Sequence, residues 1–166
     1  YRNVVATVAD VVARAGVDKG DIACVGISNQ RETSLVWNAD GTPCHNAIVW
    51  QDARATDVCE RVAAAGMEEA VRERSGIRLS PYFPAAKLAW ICEHVDGVAR
   101  GLRAGKLRLG TVDAYLVYRL THGESYKTDY SNASRTELFD IRGLAWDEGL
   151  CDAFGIPVAA RSEEHT

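Results

Sequence analysis

The chain alternates between helical and strand-like apolar patterns. Val4, Val8, Val11, Val12 and Ala15 recur at helical spacing, and Gly16 follows as a natural stop. Ile22–Ile27 is a continuous apolar run, the pattern of a strand buried on both faces under covering helices. Thr33–Trp37 reads as a second strand, Asn38-Ala39-Asp40-Gly41 as a hairpin turn, and Ala47–Trp50 as a third short apolar run. Helices are predicted over Asp52–Ala65 (ended by Gly66), Glu68–Arg74, Ala85–His94 and Val112–Leu120. Thr111 is placed to cap the last of these, with Leu116, Val117 and Leu120 on its core face. Tyr126–Asp129 and Glu137–Ile141 read as strands around the polar turn Ser131–Ser134. Asp147–Phe154 reads as a terminal helix closed by Gly155-Ile156-Pro157. Strands and helices interleaved at this pitch predict an α/β domain.

Composition narrows the class without naming a function. The 166 residues suffice for one domain with a real core, and 47% hydrophobic with 25% charged is ordinary globular composition. A net charge of −4 with acids and bases interspersed argues against a nucleic-acid partner. No apolar run reaches the ~20 residues of a membrane helix. The five cysteines, Cys24, Cys44, Cys59, Cys92 and Cys151, form no CxxC pair, and their odd number points to a reducing, cytoplasmic setting. His45, His94, His122 and His165 are too dispersed to predict a metal site.

Several common chemistries are absent from the text: it contains no GxxxxGK[ST], no GxGxxG after a strand and no GxSxG. Arg31 and Glu32, adjacent between two predicted strands, leave two readings open. They are either a solvated ion pair, with Trp50 in the core, or the polar corner of a polyol site. In the second reading Glu32 accepts from neighbouring hydroxyls while Arg31 donates to their oxygens. Trp50 then covers the C–H face, and Tyr82 adds one oriented polar contact. Strand neighbours point to opposite faces, so Arg31 and Glu32 can meet one ligand only if the backbone turns there. Lys87 and Trp90, three apart on a predicted helix, suggest a lysine stem lying along an indole ring. Asp129 and Asn132 are assigned to turn hydrogen bonding and Asp113 to first-turn dipole complementation.

Five blocks in order favour the polyol reading. "GISNQRETSLVW" (26–37) with "NAIVWQDARAT" (46–56), "PYFPAAKLAWICEH" (81–94), "GTVDAYLVYRLT" (110–121), "TDYSNASRTELFDI" (128–141) and "WDEGLCDAFGIP" (146–157) together resemble the glycerol kinases of the FGGY carbohydrate kinase family. The resemblance implies an α/β, ribonuclease H-like, actin-like ATPase fold, of which residues 1–158 form an incomplete first domain. It implies glycerol-binding roles for Arg31, Glu32, Trp50 and Tyr82, and no catalytic, cofactor or metal residue in this chain. ATP and Mg2+ are implied as cofactors of the longer parent, which is expected to be a homo-oligomer. The family's phosphate loop and catalytic aspartate would lie outside residues 1–157, so the chain alone is expected to be inactive. Ala53, Cys44-His45 and Pro84-Ala85-Ala86 depart from the family pattern without touching the four substrate positions. The polar tail 161–166, RSEEHT, resembles the translation of a short-read sequencing adapter and is expected to be non-native.

Overall fold

The computed structural model describes residues 1–165, with side chains through Glu163; Thr166, the last residue of the expected tail, lies outside them. The chain opens with helix α1, Arg2–Ala15, closed by Gly16 in the left-handed conformation (φ 65°) that glycine adopts without steric cost. Strand β1 follows at Ser34–Asn38. Then come helices α2 (Thr56–Ala64), α3 (Glu68–Ser75), α4 (Pro84–His94) and α5 (Val98–Arg103). Strand β2 (Leu107–Thr111) runs directly into α6 (Val112–Leu120). The C-terminal third holds β3 (Lys127–Asp129), the single-turn α7 (Tyr130–Ala133), β4 (Phe139–Asp140), β5 (Ala145–Trp146), α8 (Glu148–Ala153) and β6 (Glu163–His165). Pairing is antiparallel for β1–β2 and β4–β5 and parallel for β3–β6.

The β1–β2 ladder divides the interior in two. Val36 faces Leu109 across the ladder, and both join the larger core of α2, α4, α5 and α8, which contains Val58, Leu88, Ile91, Leu102 and Leu150. Leu35 and Trp37 point to the opposite face, as a period of two requires, and pack with Ala114, Tyr115 and Tyr118 of α6. Trp37 is fully buried, with Tyr115, Tyr118 and Tyr126 ring centroids at 5.2, 5.9 and 5.6 Å. Gly110, opposite Leu35, makes room for this cage: a Cβ there would come within 3.2 Å of the Ala114 Cβ and 3.5 Å of the indole.

Several boundaries differ from the sequence reading. Ile22–Ile27 forms no strand and is exposed, with Val25 at 71%. An extended segment becomes a strand only through a hydrogen-bonded neighbour, and no described residue pairs with it. With α1, Leu116 and Leu120 it lines an open apolar groove of about 710 Å³. Ala47–Trp50 reduces to one bridge, Ile48 to Ser34. Helix α2 begins four residues late because Asp52 and Arg54 close a local turn, in which Arg54 N donates to Asp52 Oδ1 at 3.0 Å. Thr111 occupies the cap position of α6, but its hydroxyl donates to Asp113 Oδ1 at 2.6 Å instead of capping a backbone N–H. The buried face of α6 is Asp113, Ala114, Tyr115, Leu116 and Tyr118, whereas Leu120 is exposed. Ser131–Ser134 lies within and just after α7, and Asp129 accepts from Asn132 N at 2.9 Å, as assigned. Helix α5 and strand β2 were not anticipated.

Candidate functional site

The backbone does turn at Arg31-Glu32, immediately before β1. The two side chains find separate partners on one segment, Arg31 on Ser131 within α7 and Glu32 on Arg135 just after it. Glu32 is buried, and its Oε1 accepts from Arg135 Nε at 2.9 Å. Arg31 Nη1 donates to Ser131 Oγ at 3.2 Å and more weakly to Ser131 O at 3.4 Å. The reading as a solvated ion pair of Arg31 with Glu32 is thus replaced: the carboxylate's ion-pair partner is Arg135, 103 residues away. Nor is Trp50 a core residue, since it is 38% exposed.

Trp50 instead meets Tyr82 edge-on at 5.7 Å, and Tyr82 meets Phe83 in the same way at 5.0 Å. The Arg135 guanidinium lies over the Phe83 ring at 4.9 Å. A continuous series of contacts therefore runs Glu32, Arg135, Phe83, Tyr82, Trp50. Three of the four sequence-predicted residues lie along it, and Arg31 joins through Ser131 on the segment that supplies Arg135. The aromatic face offers C–H-compatible surface, while the Glu32 end offers a carboxylate held by a planar cation.

Behind Tyr82 sits a buried pair that sequence reading did not connect. Lys87 on α4 is fully buried. Its Nζ donates to Pro81 O at 2.6 Å, to Tyr82 O, and to Phe83 O at 3.3 Å. Glu137, also fully buried, accepts from Ser80 N at 2.9 Å through Oε1, while its Oε2 has no hydrogen-bond partner among the described residues. Burial pushes the Glu137 carboxyl up to about 8 against an opposing hydrogen bond from Ser80 and the charge of Lys87. Burial likewise pushes the Lys87 ammonium down to about 8, with Glu137 the largest opposing charge. The expected packing of Lys87 along Trp90 gives way to this: Arg54 lies over Trp90 at 4.9 Å, and His94 stacks on it at 4.3 Å.

A second polar network braces the Arg31-Glu32 turn. Asp113 is buried and accepts from Thr111 Oγ1 and Thr128 Oγ1, each at 2.6 Å, and from Asn29 Nδ2 at 3.4 Å. Its assignment to the helix dipole alone is therefore too small a role. Asn29 Nδ2 also donates to Asn132 Oδ1 at 3.1 Å, and Asn132 Nδ2 to Asp129 Oδ2 at 2.6 Å. Among the described residues, no three His, Cys, Asp or Glu side chains converge as a metal-binding group. Nor is any helix long and apolar enough to cross a membrane.

Sequence reading missed Arg135, Glu137 and Asn29. The available signal was charge out of place: Arg135 and Glu137 flank Thr136 at the entry to an apolar stretch, Leu138-Phe139. Such charges need partners if the stretch is buried.

Comparison with known proteins identifies the family. The chain is 47% identical over 158 residues to the glycerol kinase of Vibrio atlanticus (strain LGP32), covering 95% of this chain and 31% of that protein. It is 48% identical over 159 residues to the glycerol kinase of Cereibacter sphaeroides (strain ATCC 17025 / ATH 2.4.3), covering 95% and 32%. The chain thus spans about a third of the length of these curated relatives. Its structure resembles that of Plasmodium falciparum glycerol kinase with ADP, with a TM-score of 0.81 and 34% identity, over 86% of this chain and 28% of that one. A xylulose kinase from Brucella ovis shares the fold, at a TM-score of 0.79 and 20% identity over 95% of this chain and 31% of that one. The α/β architecture is accordingly the actin-like ATPase fold of the carbohydrate kinases. Residues 1–162 match the N-terminal domain of the FGGY family of carbohydrate kinases, and the chain belongs to that family.

Proposed function

We propose that this chain is the acceptor-binding portion of an ATP-dependent glycerol kinase, which converts glycerol and ATP to glycerol 3-phosphate and ADP. The observation that carries this reading is the unbroken series Glu32–Arg135–Phe83–Tyr82–Trp50, with Arg31 beside it. Arg135 occupies Glu32 Oε1 and leaves Oε2 to accept from a polyol hydroxyl. The part of the Arg31 guanidinium not engaged by Ser131 donates to hydroxyl oxygens, Trp50 covers the carbon backbone, and the Tyr82 phenol fixes one end. Positioning an acceptor hydroxyl in this way is a large share of what a phosphoryl-transfer enzyme does. The names of the relatives, glycerol kinases at 47% and 48% identity, support glycerol over a larger sugar.

The residues described supply no metal-binding group, and none is assigned to ATP or Mg2+. Nucleotide, metal and the base that accepts the hydroxyl proton belong, in this reading, to the rest of the parent enzyme. The native segment is placed at residues 1–158 and the tail 161–166 is read as non-native; a nucleotide sequence with codons unrelated to an adapter there contradicts the second point. The 166-residue chain alone is expected to phosphorylate nothing. The parent protein is tested by a coupled ADP-release assay with glycerol, xylulose and ribulose as separate acceptors. Glycerol is expected to give the highest kcat/KM. A higher value for either sugar overturns the substrate assignment, and glycerol turnover by the isolated chain above a no-protein control overturns its inactivity.

A further inference from the structure

Two buried side chains from outside the segment, Glu137 and Lys87, bond to the backbone of residues 80–83. Ser80 gives its N–H to Glu137, and the next three carbonyls, of Pro81, Tyr82 and Phe83, converge on the Lys87 ammonium. Three consecutive carbonyls aimed at one point curl the backbone around it, so the side chains fan outward. Tyr82 reaches Trp50 on one side, and Phe83 reaches Arg135 on the other. An ammonium has three N–H groups, and three acceptors use all of them, so Lys87 has no donor left for a phosphate.

Keeping this pair is expensive. Lys87 and Glu137 are both fully buried, and one Glu137 oxygen has no hydrogen-bond partner among the described residues. Glu137 also has a left-handed backbone (φ 62°), which is strained for a residue that carries a side chain. A conformation with these costs persists only where its surroundings fix it, and such residues cluster at binding sites. The start of α4 does not require the pair, since Pro84 stands at its first turn and Ala85 N already donates to Thr136 O at 3.0 Å.

We propose that Lys87 and Glu137 are positioning residues that clamp the backbone of residues 80–83 and so set the Tyr82 ring against Trp50 for the acceptor. The inference rests on the polyol reading of that aromatic face and adds to it the part that makes the face rigid. Neither residue touches the acceptor; both act through Tyr82.

A double-mutant cycle in the full-length enzyme tests this. Lys87→Met is expected to raise the glycerol KM tenfold or more while leaving the ATP KM within twofold. In a Tyr82→Ala background the same substitution is expected to change the glycerol KM by less than twofold, because the side chain it positions is gone. Glu137→Gln keeps an acceptor for Ser80 N and is expected to stay within threefold of the parent KM, whereas Glu137→Ala raises it about tenfold. Equal factors for Lys87→Met in both backgrounds, or a glycerol KM unchanged by it, overturn the clamp. If Lys87→Met does not fold, the two Glu137 variants decide, and identical glycerol KM values for Gln and Ala overturn it. A Tyr82→Ala enzyme with unaltered glycerol KM overturns instead the polyol reading on which the clamp rests.

Discussion

Arg135 Nε donates to Glu32 Oε1 at 2.9 Å while the same guanidinium lies over the Phe83 ring at 4.9 Å. One side chain thus joins the carboxylate end of the candidate site to its aromatic face. Arginine suits this double contact because its planar cation can bond in its plane and stack on its face, which a lysine ammonium cannot do. In the parent enzyme, Arg135→Ala leaves a buried carboxylate unpaired. The expected cost is ~1–3 kcal/mol, roughly a tenfold or greater rise in glycerol KM. Arg135→Lys is expected to recover less than half of that loss in free energy. Steady-state kinetics with glycerol varied at saturating ATP checks both, and a full recovery by lysine counts against the stacking contact.

Trp50 is held edge-on to Tyr82 and is 38% exposed, so its removal opens the apolar face without emptying the core. Trp50→Ala is expected to weaken glycerol binding by about 1–2 kcal/mol and to cost the fold little. A thermal melt and glycerol KM measured on the same preparation separate the two. A large drop in Tm with unchanged KM would assign Trp50 to packing.

Glu137 and Lys87 give stability a specific pH dependence. The Glu137 carboxyl is raised from 4.5 to about 8, so between those values the folded chain holds a proton that the unfolded chain has lost. Its contribution is therefore full below about 4.5 and is lost as pH rises through about 8. Lys87 is lowered from 10.5 to about 8, so its contribution is full above 10.5 and is lost as pH falls through about 8. Asp52 and Glu32 are the other carboxylates acting on Lys87, and both favour its ammonium form. Urea midpoints are expected to fall from pH 5 to pH 8. The fall should be shallower in Glu137→Gln, which has no proton to lose. Parallel profiles for the two proteins contradict the burial argument.

Trp37 is the largest fully buried side chain, enclosed by Tyr115, Tyr118 and Tyr126. Its replacement by Ala leaves a cavity between β1 and α6 at a cost of about 3–5 kcal/mol. Trp37→Phe is expected to cost much less, because the indole Nε1 has no hydrogen-bond partner among the described residues to lose. Chemical denaturation of both variants checks the order, and a larger loss for Phe than for Ala would refute it.

What was readable in the sequence followed from local physics. The helix 112–120 matches its prediction at both ends, although the buried face is shifted and Leu120 is exposed. The turn at Asn38–Gly41 was equally local: Gly41 takes φ 79°, and its N–H donates to Asn38 O at 2.8 Å. The Ile22–Ile27 run carried a strand's composition, but a strand also needs a neighbour, which composition cannot supply. Helix α5 and strand β2 were missed, although β2 alternates buried Leu107, Leu109 and Thr111 with half-buried residues, a short instance of period two. Resemblance picked out Arg31, Glu32, Trp50 and Tyr82. Their shared support was invisible, because Glu32 and Arg135 are 103 residues apart and Ser80 and Glu137 are 57 apart. Long-range polar contacts leave no periodic trace in one sequence.

The most direct test is the glycerol KM of Glu32→Gln in the full-length enzyme. The amide keeps the shape of the side chain but gives up the charge that pairs with Arg135 and that, in the proposed site, accepts a hydrogen bond from a polyol hydroxyl. The account predicts at least a tenfold rise in glycerol KM, or loss of turnover, with the ATP KM within twofold and the fold intact by circular dichroism. An unchanged glycerol KM would contradict it.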